Sequence, residues 1–109
     1  MIVNNFQGKN VLVVGDVMVD NFFYGEVSRI SPEAPVPVFK LSNKKTMLGG
    51  AANVAANISS LGASVVLLAP VGNDAAGAEF VSLVEADARI EFRGIEDTRG
   101  TIVKSRYSA

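Results

Sequence analysis

Cysteine and histidine are both absent from the 109-residue sequence. Without cysteine there are no disulfides, no thiolate metal ligands and no cysteine nucleophile. The lack fits a reducing compartment. Without histidine there is no histidine-based triad, general base or metal site. Acid–base chemistry in this chain therefore falls to Asp, Glu, Lys or Tyr. Charge of one sign is scarce as well. Ten basic and eleven acidic residues leave a net −1, with no basic run, so neither nucleic acid nor a membrane surface is indicated as a partner. Long apolar runs are missing too. The longest, VLVV at 11–14 and VVLLAPV at 65–71, are far shorter than a membrane span. The opening MIVNNFQGKN lacks the charged-then-apolar order of a signal peptide, and the default location is the cytoplasm.

The remaining composition, 49% hydrophobic and 19% charged, is that of a folded globular chain rather than a disordered one. The length allows one domain or a piece of one. A chain of this size buries roughly two-thirds of its unfolded surface, enough for a core.

Val11–Val14 is a continuous β-branched and leucine run closed by Gly15. It reads as a strand buried on both faces, as in a parallel sheet. Asp16 to Asp20 follow at its carboxyl end. Residues 21–47 differ in character. Phe22, Phe23 and Tyr24 cluster, and Pro32, Pro35 and Pro37 forbid a helix. Short extended pieces are expected, forming a flap outside the main sheet. Gly50 to Leu61 is helical, with Val54, Ile58 and Leu61 as its apolar stripe and Gly62 as the glycine that ends it. Ser64–Val71 is a second buried strand. Asp74 is a candidate N-cap for a second helix with the stripe Ala76, Phe80, Leu83 and Val84. Ile90–Phe92 and Thr101–Tyr107 are further strands. The order predicts an α/β fold built on a largely parallel sheet. The sequence ends directly after a strand-like run, which suggests a fragment of something longer.

Three groups of residues are candidates for chemistry. Asp16 and Asp20, in GDVMVD, follow a buried strand, and open α/β sheets bind ligands outside the carboxyl ends of their strands. A carboxylate there accepts hydrogen bonds from vicinal hydroxyls. The alternative is a turn residue and a solvated charge. Gly49-Gly50 ahead of Ala51, Ala52 and Asn53 leaves backbone N–H groups bare at a helix start, a place that favours polar oxygens. The alternative is a tight, closely packed turn. No G-K-[ST] and no G-x-G-x-x-G is present, so neither a Walker A loop nor a dinucleotide fingerprint is supported. Lys104 and Arg106 alternate with Val103, Ser105 and Tyr107. They are either the solvated face of a strand or a source of positive charge for a phosphate.

Taken together, GGAANVA, six residues, Gly62, nine residues and Gly72 resemble the first signature of the ribokinase, or PfkB, family of sugar kinases. The match runs without a gap from Gly49 to Gly72. GDVMVD fits the family's first strand, which ends in an acid that holds sugar hydroxyls. SRISPEAPVPV, Ser28 to Val38, is similar to the heptose 7-phosphate kinase branch. The resemblance implies a ribokinase-like, Rossmann-like fold with a small β-lid over about residues 21–47, which in many members also forms a homodimer contact. It implies that ATP, with Mg2+ arriving on the nucleotide, phosphorylates a sugar phosphate held by Asp20, Asn53 and the Gly49-Gly50 backbone. Asp16 would stand beside them, and Arg29 in the lid would meet the substrate phosphate. The family's catalytic aspartate lies in a C-terminal G-A-G-D motif that does not occur in these residues. The chain therefore carries the sugar-side half of a site, and alone it is expected to show no detectable kinase chemistry. Open alternatives are another sugar or nucleoside kinase of the same superfamily and a non-catalytic sugar-phosphate binding module.

Overall fold

A computed structural model describes residues 5–109, the side chain of Ser28 excepted. Residues 1–4, the start of the N-terminal stretch read above, lie outside the described residues. The elements are β1 (Asn10–Val14), β2 (Val17–Ile30), β3 (Pro37–Gly50), α1 (Ala51–Ser60), β4 (Ser64–Val71), α2 (Ala75–Glu85), β5 (Ile90–Glu96) and β6 (Ile102–Ser108).

These strands form two sheets. The first is parallel, in the order β1-β4-β5, with Leu12 opposite Val66 and Leu67 opposite Phe92. Parallel neighbours demand a helix or a long connection between them, and α1 and α2 lie in the two connections. The second sheet has the order β3-β2-β6. Strands β2 and β3 pair antiparallel, while β6 runs parallel to β2.

The flap is thus more regular than the prolines suggested. In place of short extended pieces, two strands of 14 residues each make one long hairpin. Pro32 and Pro35 fall in the turn, and Pro37 takes the first position of β3, where a missing N–H is tolerated. The strand at 101–107 does not extend the parallel sheet. It joins the hairpin, so the second sheet is larger than a small lid over 21–47.

The core lies where α1 and α2 cover one face of the parallel sheet. Val65, Leu67 and Ala69 of β4 meet Ala52 and Ala55 of α1 and Phe80 and Val84 of α2. Val17 and Val19 of β2 enter the same cluster and couple the two sheets. The stripe on α1 differs from the predicted one. Ala52, Ala55 and Ser59 are buried, Ile58 and Leu61 are half-buried, and Val54 is 49% exposed. Small residues face the sheet, so the helix packs closely against it. Ser59 is accommodated because its hydroxyl donates to Asp87 Oδ2 at 2.7 Å, as a buried polar group requires. Gly62 ends α1 with φ +98°, a left-handed conformation suited to glycine. On α2, Phe80 and Val84 are buried as predicted, with Gly77 beside them. No helix among the described residues is long and apolar enough to cross a membrane.

Candidate functional site

The turn from β1 into β2 and the end of β3 meet at the amino end of α1. Val17 is opposite Gly50 and Met18 opposite Gly49 in the antiparallel ladder. Helix α1 begins immediately afterwards, at Ala51. The Ala51 N–H donates to the Asp16 carbonyl at 2.8 Å. No side chain caps this helix, and its first turn carries no acidic residue. Its opening N–H groups consequently have no side-chain oxygen from this chain to satisfy them.

The double glycine has a reason internal to the fold. Gly50 sits at φ 63° and ψ −135° as the N-cap, a conformation rarely open to residues with a side chain. A β-carbon there would lie 2.5 Å from the Asp16 carbonyl oxygen, and one on Gly49 would lie 2.5 Å from Met18 Cγ. The glycines let the main chain of β3 approach that of the β1–β2 turn. The close contact is met within the chain itself, as the tight-turn alternative anticipated.

Asp20 is the polar group with no such internal explanation. It sits on β2 between Met47 of β3 and Lys104 of β6. Its Oδ1 is buried and has no hydrogen-bond partner. A buried acceptor left unpaired costs about 1–3 kcal/mol. The arrangement suits a ligand that brings hydroxyl donors. The next residue, Asn21, faces the core side and is satisfied, since its Oδ1 accepts from Thr46 Oγ1 at 3.0 Å.

Asp16 is exposed. Together with Pro70, Asp97, Arg99, Gly100, Thr101 and Ile102 it lines a cleft of about 270 Å³ at the carboxyl ends of β1 and β4. Arg99 Nε and Nη2 both donate to Asp97, at 3.1 and 2.9 Å. This pairing holds the Asp97 carboxyl below its ordinary range and raises the Arg99 guanidinium, with a smaller contribution from Asp16 to the latter. Thr101, in the wall of the cleft, is tied to a network around Asp74. Its Oδ1 accepts from the Gly77 N–H and the Thr101 hydroxyl, both at 2.7 Å, and its Oδ2 accepts from the Thr101 N–H at 2.9 Å. Gly72 N–H donates in turn to Thr101 Oγ1 at 3.0 Å. The Thr101 bonds, then that from Gly77, lower the Asp74 pKa.

Asp16, Asp20, Gly49, Gly50 and Asn53 therefore gather around one junction, with Asn53 exposed on the first turn of α1. Arg29, expected in the lid, stands apart from this junction. It lies on β2 opposite Val38, nine residues beyond Asp20 and so roughly 30 Å along the strand. Sequence reasoning anticipated the Asp74 cap but not Thr101, because 27 residues separate them and no local pattern links a loop threonine to a distant cap.

Residues 8–102 match the family described as pfkB family carbohydrate kinase. This chain belongs to the pfkB family. Among its relatives, "Bifunctional protein HldE" of Caulobacter vibrioides is 52% identical over 103 residues, and that of Hyphomonas neptunium is 50% identical. Each alignment covers 94% of this chain and 21% of the relative, so the chain spans about a fifth of the length of these pfkB proteins. A carbohydrate kinase from Agrobacterium tumefaciens superposes with a TM-score of 0.71 at 29% identity, covering 91% of this chain and 31% of its own. Phosphofructokinase-2 from Escherichia coli in complex with fructose-6-phosphate gives 0.62 at 22% identity over 93% of this chain and 31% of its own, a likeness of fold alone. The pfkB fold accounts for the coexistence of a parallel α/β sheet and a separate strand layer. Among the described residues no group of three or more His, Cys, Asp or Glu side chains is placed to hold a metal ion.

Proposed function

We propose that this chain is the sugar-binding part of a carbohydrate kinase that moves phosphate from ATP to the anomeric hydroxyl of D-glycero-β-D-manno-heptose 7-phosphate. The product would feed ADP-heptose synthesis for the lipopolysaccharide core, in the cytoplasm. The observation that carries the sugar site is Asp20, a carboxylate whose Oδ1 is buried without a partner in the strand beside the Gly49-Gly50 junction. The heptose assignment rests on the SRISPEAPVPV segment and on the similarity to HldE proteins.

In this reading Asp20 accepts hydrogen bonds from sugar hydroxyls. Asn53 donates and accepts through its amide from the first turn of α1, and the uncapped N–H groups of that turn favour oxygen atoms. Asp16 borders the site from the cleft. Closure of the β2–β3 hairpin over the sugar would exclude water from the reaction. The same hairpin exposes Val27, Ile30, Val36 and Leu41, apolar surface suited to a homodimer contact. ATP and Mg2+ would be bound chiefly by residues outside this chain, Mg2+ arriving with the nucleotide.

The test is steady-state kinetics of the full-length protein on heptose 7-phosphate. Asp20→Ala is expected to lower kcat/KM by roughly 10- to 100-fold, the equivalent of one or two charge-assisted hydrogen bonds. Unchanged kinetics would remove Asp20 from the site.

A further inference from the structure

Arg29 is far from Asp20, yet the strand register places other cations next to it. In a sheet, residues paired across strands share a face, and that face repeats every second residue. Met47, Asp20 and Lys104 form one cross-strand row, and Lys45, Phe22 and Arg106 form the next. Lys45, Lys104 and Arg106 consequently stand on the same face of the second sheet as Asp20. All three are exposed. The Arg106 guanidinium carbon lies 5.4 Å from the centre of the Phe22 ring, which sets it over the middle strand of the row. The ion pairs among the described residues are Arg93–Glu91 and Arg99–Asp97, so none of the three cations is paired with a carboxylate.

We infer that Lys45, Lys104 and Arg106 bind the phosphate that the sugar substrate already carries, and so make the site selective for a phosphorylated sugar. The inference rests on the sugar-kinase reading above and deepens it. The step from the Asp20 row to the Phe22 row is roughly 7 Å, the scale of the separation between the ring of a heptose and a phosphate on its terminal carbon. Lys45 and Arg106 rise from the strands on either side of Phe22, with the Arg106 guanidinium over its ring. A phosphate monoester carries about −1.5 to −2 charges at neutral pH, and its oxygens match the forked donors of arginine. Lys104, in the Asp20 row, serves the junction of sugar and phosphate.

The experiment compares kcat/KM of the full-length protein for heptose 7-phosphate with that for the same heptose without phosphate. Lys45→Gln and Arg106→Gln are exposed changes that leave the core untouched, and Arg89→Gln, in the α2–β5 turn, controls for the loss of one positive charge. The expected result is that Arg106→Gln and Lys45→Gln each reduce the preference for the phosphorylated sugar about tenfold or more, through KM, while Arg89→Gln keeps the wild-type preference. Wild-type selectivity retained in both site variants, with the enzyme active, overturns the inference alone. Wild-type protein that phosphorylates neither sugar overturns the kinase reading, and the inference with it.

Discussion

At the scale of single residues, the Gly50 position combines two demands that only glycine meets. Its φ of 63° with ψ −135° is strained for any β-carbon, and the 2.5 Å approach to the Asp16 carbonyl oxygen leaves no room for one. The opposing atom is backbone, so no side chain can swing aside. Gly50→Ala is expected to destabilise the protein by about 1–3 kcal/mol, read as a lower denaturant midpoint at unchanged slope. Gly49→Ala meets Met18 Cγ at 2.5 Å and Sδ at 3.3 Å, atoms of a flexible side chain, and should cost less. Equal losses at the two positions would contradict this assignment of strain. Asp20 presents the opposite situation at a nearby point of the same ladder. Its environment is incomplete within the chain, and it is the residue whose replacement should affect substrate more than stability.

At the scale of elements, the β5–β6 loop is fastened to the amino end of α2 through Asp74 and Thr101. Asp74 accepts from Gly77 and from both the N–H and hydroxyl of Thr101, which lowers its folded pKa below the ordinary carboxylate value. A lowered folded pKa means that the contribution to stability is present above the unfolded value, about 3.9, and is lost as pH falls through the folded value. Acid titration of stability should therefore steepen below about pH 4, and Asp74→Asn should flatten that part of the profile. Thermal unfolding followed across pH 2–7 in both proteins measures this, and parallel curves would refute the role. The cap itself was legible in the sequence, since Asp74 precedes an apolar helical stripe with Gly77 three residues on. Ser64–Val71 was legible to the residue, because a continuous apolar run between a glycine turn and a loop has few alternatives. The prolines of the hairpin imply a broken strand by local pattern, yet they fall in the turn and at a strand's first position, which only the pairing of β2 with β3 fixes. On α1, Ile58 of the apolar stripe packs against the core, but Val54 is exposed, because the helix presses its small residues to the sheet. Local pattern identifies an amphipathic helix more easily than it fixes which side the rest of the fold will cover. The gathering of Asp16, Asp20 and the double glycine was visible as motif. Lys45 was not, because only strand register brings it level with Phe22.

At the scale of the molecule, the shape is elongated. The radius of gyration is 17.7 Å, against about 13 Å for a compact chain of this length, because the hairpin projects from the α/β layer. The helices cover only one face of the parallel sheet. On the other, Leu12, Val14 and Ile95 are 62%, 65% and 55% exposed, with Val66, Leu68 and Pro70 half-buried between them. Parallel sheets are normally covered on both faces, and β1 and β5 are both edge strands, open to pairing with another chain. An apolar surface that spans three strands favours association. The 109-residue chain by itself is expected to sediment as oligomers at micromolar concentration, and Leu12→Lys with Val14→Lys should shift it toward monomer by placing charge on both the open face and an edge. The hairpin offers a competing contact through Val36 and Leu41. If Val36→Lys with Leu41→Lys dissociates the oligomer and the Leu12, Val14 pair does not, the contact belongs to the hairpin, as in the proposed homodimer. If the unaltered chain sediments as a monomer, neither surface is sufficient for association, and burial of the open face contributes less than its apolar area implies.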